Sequence, residues 1–88
     1  MIENLNGKIY INNKKLPKGD VDILKILLKH GPCTAFEIME KRGHIFVQYT
    51  QTRLRVLSSH LLGNIVIKTD DGFEINPELK EELGEALE

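Results

Sequence analysis

Apolar residues recur at the spacing of an α-helix in three successive segments in the middle of the chain. The first segment spans about 20–29, the second 35–42 and the third about 50–62. Gly31 and Gly43 follow the first two segments, and glycine readily adopts the left-handed conformation that ends a helix. The pattern therefore predicts three short helices in succession.

The predicted helices have identifiable starts and inward faces. Asp20 stands at the start of the first helix, where its carboxylate can cap exposed backbone amides. Thr34 and Glu37 form a capping box before the second helix, because each side chain can bind the other residue's amide. A turn over 44–49 precedes the third helix, whose inward leucines fall within roughly 60° of one another at 100° per residue. These leucines are Leu54, Leu57 and Leu61.

Two hairpins flank the three helices. Residues 8–16 alternate apolar and polar side chains around an asparagine pair, 12–13, that tolerates the positive φ of a tight turn. Residues 65–69 and 73–76 are predicted strands on either side of an Asp-Asp-Gly turn at 70–72. Helices combined with antiparallel hairpins predict an α+β fold.

A last helix is predicted over 77–88, with Asn76 as its cap and Pro77 at its first position. Leucines recur there every four residues, at Leu79, Leu83 and Leu87. This stripe can pack on its own domain or pair with a second copy of the chain. Of these two alternatives we favour the homodimer.

Composition narrows the classes of protein to which the chain can belong. Hydrophobic residues make up 41% and charged residues 28% of 88 residues, which is typical of one globular domain. No apolar stretch is long enough for a membrane span, and the N-terminus lacks the plan of a signal peptide. The single cysteine, Cys33, cannot form an internal disulfide, so we expect a cytoplasmic protein. Cys33 is either a buried apolar filler or a redox-sensitive thiol near a helix N-terminus.

We expect no enzyme activity from this chain. It contains neither a glycine-rich phosphate loop nor a Gly-x-Ser-x-Gly motif, and it has no evident Cys/His nucleophilic pair. His30, His44 and His60 lack the spacing that places two imidazoles on one helix face. We therefore predict no metal, no cofactor and no small-molecule substrate.

Charge is distributed unevenly along the chain, although the net charge is only −1. Residues 1–69 carry eleven lysines and arginines against five acids, whereas residues 70–88 carry one lysine against eight acids. A basic body with an acidic tail indicates a nucleic-acid partner. The alternative is that the basic and the acidic segment balance each other and only keep the protein soluble.

Five features follow one another in a fixed order between residues 20 and 76. They are the helix break His30-Gly31-Pro32, the segment Thr34-Ala35-Phe36-Glu37-Ile38, Gly43 at the interhelical turn, the leucine-bearing third helix, and Gly63-Asn64-Ile65 before the second hairpin. In this order they resemble the winged helix-turn-helix family of archaeal and bacterial transcriptional regulators. The resemblance implies a single domain over 1–88, with a winged-helix core at 20–76, an additional N-terminal hairpin at 8–16 and a C-terminal helix at 77–88.

The resemblance also implies binding of double-stranded DNA, with the third helix in the major groove and the second hairpin, the wing, beside the flanking backbone. The wing tip carries Asp70 and Asp71, which phosphates repel. We therefore predict that the wing is a bystander in DNA binding.

The face of the third helix opposite its leucines is free of acids. Arginine and glutamine can bind base edges with two hydrogen bonds, while threonine and serine reach phosphates. Arg53 points sideways and can either grip phosphate or brace the helix. Lys41 and Arg42 end the second helix, where they can contact the DNA backbone or only favour the helix dipole. The predicted DNA-binding residues are Lys41, Arg42, Gln48, Gln51, Thr52, Arg53, Arg55 and Ser59, with Leu62 beside them.

Other interpretations of these features remain open at this point. A winged helix can serve as a protein-interaction module in a transcription or replication assembly, which the acidic wing and tail favour. The outward face of the third helix can also be an ordinary solvated surface. An RNA-binding function is less favoured, because no sheet face bears aromatic side chains.

Overall fold

The computed structural model describes residues 2–43 and 46–87 of the chain. It confirms an α+β fold, in which these residues form two antiparallel sheets and four α-helices. In chain order the elements are β1 (Ile2–Leu5), β2 (Lys8–Ile11), β3 (Lys14–Lys15), α1 (Lys18–His30), α2 (Ala35–Arg42), α3 (Val47–Leu57), a 3₁₀ helix (His60–Leu62), β4 (Val66–Thr69), β5 (Gly72–Ile75) and α4 (Lys80–Leu87). None of the described helices has the length and apolar character needed to cross a membrane.

The N-terminal sheet has three strands in the order β1-β2-β3. Its second hairpin confirms the predicted one, because Asn12 and Asn13 form the turn with φ values of +50° and +68°. Strand β1 was not predicted. It joins β2 through Asn6 and Gly7, whose φ values of +57° and +84° are those of a tight hairpin turn.

Helix α1 begins two residues earlier than predicted. Its N-terminal cap is Pro17 rather than Asp20, and no side chain bonds the amides there. Asp20 lies inside the first turn and is completely buried. The predicted capping role of Asp20 is therefore wrong, since its carboxylate is held by a partner from α3.

Helix α2 matches its prediction at both ends. The amide of Glu37 donates to Thr34 Oγ1 at 3.1 Å, and the amide of Thr34 donates to Glu37 Oε1 at 2.9 Å, which completes the capping box. These bonds from the Thr34 backbone and side chain lower the pKa of the Glu37 carboxyl. Gly43 ends the helix in the left-handed conformation.

Helix α3 is shorter than predicted and shifted towards the N-terminus. It spans Val47–Leu57 rather than 50–62, while residues 44–45 of the predicted turn lie outside the described residues. Beyond Ser58 the chain resumes as a 3₁₀ helix, so side chains after that point no longer follow the α-helical phase. Leu61 is consequently 69% exposed and Leu62 is buried, the reverse of their predicted positions.

The second hairpin lies one residue or less from its predicted bounds, with Asp70 and Asp71 at the tip. It is held to the connection between α1 and α2 by two backbone bonds between Cys33 and Phe73, of 2.7 and 2.9 Å. A side chain at Gly72 would collide with the Cys33 carbonyl oxygen, so this close approach requires glycine. The hairpin is thereby fixed beside the start of α2.

Helix α4 packs on its own chain. Leu83 is completely buried in the common core, and Leu79 and Leu87 pack half-buried against it. The helix lies against β1, where the Ile2 amide donates to Glu82 Oε2 at 2.9 Å. Of the two alternatives for the leucine stripe, this packing favours the intramolecular one, and a homodimer through Leu79, Leu83 and Leu87 stays a prediction.

Candidate nucleic-acid interface

Four of the predicted residues share one exposed face of α3. Gln48, Gln51, Thr52 and Arg55 are separated by three, one and three positions, which places them on one side of the helix. The opposite side contributes Thr50, Leu54 and Leu57 to the interior. The helix carries no acidic residue between Val47 and Leu57, so its outer face offers hydrogen-bond donors and one positive charge without a carboxylate.

A groove of about 410 Å³ separates this face from the second hairpin. Gln51, Arg55 and Ser58 line one wall, while Lys68 and Phe73 line the other. Lys68 and Phe73 are directly paired across β4 and β5, so the hairpin register fixes both side chains at the groove. Neither of them was predicted, because Lys68 shares its face of β4 with the buried Val66 and the alternation of side chains along the strand does not mark it as exposed.

Arg53 is held by an ion pair with Asp20. Its Nε donates to Asp20 Oδ1 at 2.7 Å and its Nη2 to Asp20 Oδ2 at 2.6 Å, in the bidentate arrangement that suits a guanidinium and a carboxylate. Hydrogen bonding to Asp20 raises the pKa of Arg53. Asp20 is wholly buried, whereas the Arg53 side chain keeps 25% of its surface exposed. Of the two roles considered for Arg53, this geometry favours bracing of α3 against α1.

Arg42 and Lys41 differ in their surroundings, although they are adjacent at the end of α2. Lys41 is exposed, whereas Arg42 packs over the ring of Tyr49 at 5.6 Å from its centroid. A Cβ at Gly19 would lie 2.9 Å from Arg42 Nη2, so the guanidinium is also close to the start of α1. Its Nε and Nη1 are buried without a hydrogen-bond partner among the described residues.

Ser59 does not lie on the predicted face. Helix α3 ends at Leu57, and Ser59 becomes the N-terminal cap of the 3₁₀ helix with extended backbone angles. Its hydroxyl is buried without a hydrogen-bond partner among residues that the structure describes. The predicted position of Ser59 beside Arg55 is therefore wrong, because the helical phase was extended past the end of the helix.

Cys33 is buried at the bridge between the α1–α2 connection and the second hairpin. Burial raises the pKa of its thiol, and the carboxylate of Glu37 raises it further. A raised pKa keeps the thiol protonated and less nucleophilic. This environment favours the apolar-filler role of Cys33 over the redox-sensitive one.

Comparison of the chain with protein-family models, with curated proteins and with solved structures finds no match. The function is therefore inferred from the positions, charges and exposure of the chain's own residues.

Proposed function

We propose that the chain is a winged helix-turn-helix domain that binds double-stranded DNA sequence-specifically, as a transcriptional regulator. The succession of three helices and a hairpin from Lys18 to Ile75 supports this assignment. The hairpin is tied to the α1–α2 connection by the Cys33–Phe73 bonds, so it stands beside α3 as a wing would. In this arrangement α3 is the recognition helix.

The acid-free outer face of α3 is the observation that carries the proposal. The eleven residues of this helix extend for about 16 Å, and an α-helix fits the major groove of B-DNA. Arg55 can donate two hydrogen bonds to guanine O6 and N7, and Gln51 can pair with adenine N6 and N7. Both side chains are exposed and line the same groove.

Phosphate contacts are assigned to residues around this face. Lys41 is exposed at the end of α2, Thr52 is exposed on α3, and Lys68 lies across the groove on β4. Such contacts fix the orientation of a protein on the duplex without carrying sequence information. Arg42 is assigned no phosphate contact, because its guanidinium packs over Tyr49 with Nε and Nη1 buried.

Substitution of Arg55 tests the proposal. A binding site is first selected from random duplexes, and affinity is then measured for this site and a scrambled one. We expect Arg55→Ala to weaken binding to the selected site by roughly 5- to 150-fold, equivalent to about 1–3 kcal/mol, with little change in binding to the scrambled duplex. The fold should persist, because the Arg55 side chain is exposed.

Lys41→Ala is the matched control, because it also removes one exposed cation. We expect it to weaken both duplexes to the same extent, since a phosphate contact is independent of sequence. If Arg55→Ala binds the selected site as tightly as the wild type does, α3 is not the element that recognises the bases.

A protein-interaction module is the second candidate, and three exposed apolar side chains favour it. Phe36, Phe46 and Leu61 are 55%, 68% and 69% exposed. A titration with mixed-sequence duplex at two salt concentrations separates the candidates. A DNA-binding domain loses affinity steeply as salt rises, because bound phosphates release counterions. Absence of duplex binding at low salt would favour the interaction module.

A further inference from the structure

A cluster of lysines lies on the side of α3 opposite the second hairpin. Lys14 and Lys15 of β3 line a cleft of about 180 Å³ together with Arg53 and Val56 of α3. Gln51 and Arg55, by contrast, face the groove beside the hairpin. Helix α3 therefore has the second hairpin along one side and β3 along the other.

The lysines continue from β3 into a second groove. This groove, of about 400 Å³, runs between the β2–β3 hairpin and α1, and Asp22 is the one acid among its lining residues. Lysines from both elements line it, and all are exposed. We call this surface the lysine flank; it consists of Lys8, Lys14, Lys15, Lys18 and Lys25.

The flank lysines form no salt bridge within residues 2–43 and 46–87. In the part of the chain that the structure describes, Asp20 and Arg53 form the one salt bridge, and no carboxylate pairs with a flank lysine. Exposed ammonium groups without a protein partner hold only mobile counterions. They can exchange these counterions for DNA phosphates, and the counterion release stabilises the complex.

The order of strands separates the flank from the acidic C-terminal region. Strand β1 packs against α4, which carries Glu81, Glu82 and Glu85, whereas β3 is the opposite edge of the sheet. The two edge strands are about 10 Å apart, since adjacent strands are separated by about 4.8 Å. The sheet thus directs negative charge away from α3 and positive charge towards it.

We infer that the lysine flank binds the DNA backbone beside the major groove that α3 occupies, on the side of α3 opposite the second hairpin. This inference rests on the proposed function and adds a second DNA-binding surface to the outer face of α3. The tip of the second hairpin presents Asp70 and Asp71 and is poorly suited to phosphates, which leaves Lys68, away from the tip, as the one phosphate contact assigned to this hairpin. The N-terminal hairpin presents lysines on the other side of the same helix, and their charge is complementary to phosphate.

The salt dependence of duplex binding tests the inference. The test variant is Lys14→Gln/Lys15→Gln, and its matched control is Lys29→Gln/Lys80→Gln, which removes two exposed lysines outside the flank. Each lost phosphate contact lowers the slope of log K against log salt by about 0.9. We expect the test variant to lose about 1.8 of this slope on both a selected and a scrambled duplex. The control variant should keep the wild-type slope.

Further variants show whether a lower slope results from the lost charges or from a loss of folding. Lys14→Arg/Lys15→Arg keeps the two charges and should keep the slope. Lys18→Gln/Lys25→Gln changes two exposed positions of α1 that take no part in strand pairing, and it should also lower the slope. Circular dichroism and thermal unfolding establish that each variant is folded.

The outcomes separate this inference from the proposed function. If the wild type binds duplex and Arg55→Ala loses sequence preference, but both flank variants match the control, the inference alone is overturned. The lysines of β3 would then protect an exposed sheet edge from pairing with other chains. If the wild type binds no duplex at low salt, the inference and the proposed function are both overturned.

Discussion

At the scale of single residues, the pair formed by Asp20 and Arg53 ties the candidate recognition helix to α1. It joins the first turn of α1 to the middle of α3 across 33 residues of sequence. The two partners are unequally buried, since Asp20 is fully enclosed while Arg53 reaches solvent. Removing one partner of a buried ion pair is costly mainly because the other charge remains buried and unpaired.

This asymmetry predicts different effects of the two single substitutions. Arg53→Met leaves a buried carboxylate and should lower the free energy of unfolding by about 3–5 kcal/mol. Asp20→Ala leaves a guanidinium that can turn towards solvent, so its cost should be smaller, about 1–3 kcal/mol. Urea unfolding of both variants and of Asp20→Ala/Arg53→Met measures these differences. We expect the double variant to be more stable than Arg53→Met alone.

A cost below about 0.5 kcal/mol for Arg53→Met would contradict this account, since it is the size expected of an ordinary surface substitution. Arg53 would then be available to phosphate rather than committed to Asp20.

The same pair shows what the sequence can and cannot reveal about single residues. Thr34 and Glu37 were predicted correctly because a capping box depends on residues three positions apart. Asp20 was misassigned as a cap because its local position suits capping equally well, and its partner lies far along the chain. Local hydrogen bonding is thus visible in sequence, whereas long-range pairing requires the fold.

At the scale of elements, the predicted hairpin turns and the bounds of α2 were correct, whereas α1 and α3 begin two and three residues earlier than predicted and α4 begins three residues later, at Lys80. The end of α3 was misplaced because Leu54, Leu57 and Leu61 continue one helical period past Ser58, where the chain changes to a 3₁₀ helix. Strand β1 could have been found from Asn6-Gly7, since this dipeptide is a strong signal for a hairpin turn. The exposed face of α3 was predictable because Gln51 and Arg55 lie within the true helix.

The second hairpin allows a test at this scale. Asp70 and Asp71 are exposed at its tip, and Asp70 lies at a groove that Gln51 and Lys68 also line. Asp70→Lys/Asp71→Lys should tighten duplex binding and steepen its salt dependence, because two repulsive charges become attractive. Fluorescence anisotropy at several salt concentrations measures both quantities.

Glu81→Lys/Glu85→Lys is the control for net charge. It changes the charge of the chain by the same amount, but on exposed positions of α4. A larger gain from the hairpin variant indicates proximity of the tip to DNA. Weaker binding by the hairpin variant than by the wild type would show that the aspartates already serve a binding role, and equal binding would show that the tip lies away from the DNA.

At the scale of the whole molecule, one core joins all the larger elements. Leu83 of α4 packs in the same cluster as Ile2 of β1, Ile23 of α1 and Leu54 of α3. The acidic C-terminal segment is therefore attached to the side of the N-terminal sheet away from β3, rather than extending freely. The basic and acidic segments, which are already separate along the sequence, are therefore also separated in space by this packing.

The position of Leu83 leads to the last prediction. Domains of this size are stabilised by only about 5–15 kcal/mol, and replacing a buried leucine with alanine costs about 2–5 kcal/mol. Leu83→Glu also buries a carboxylate, so it should lower the thermal unfolding midpoint by more than about 12 °C. Leu61→Glu makes the same chemical change at an exposed leucine and should alter stability by about 0.5 kcal/mol or less. Static light scattering of the wild type at micromolar concentration completes the test, because a stripe that packs within its own chain gives a monomer. A wild-type dimer that Leu83→Glu converts into a monomer of unchanged thermal stability would instead restore the leucine stripe as an interface between two copies.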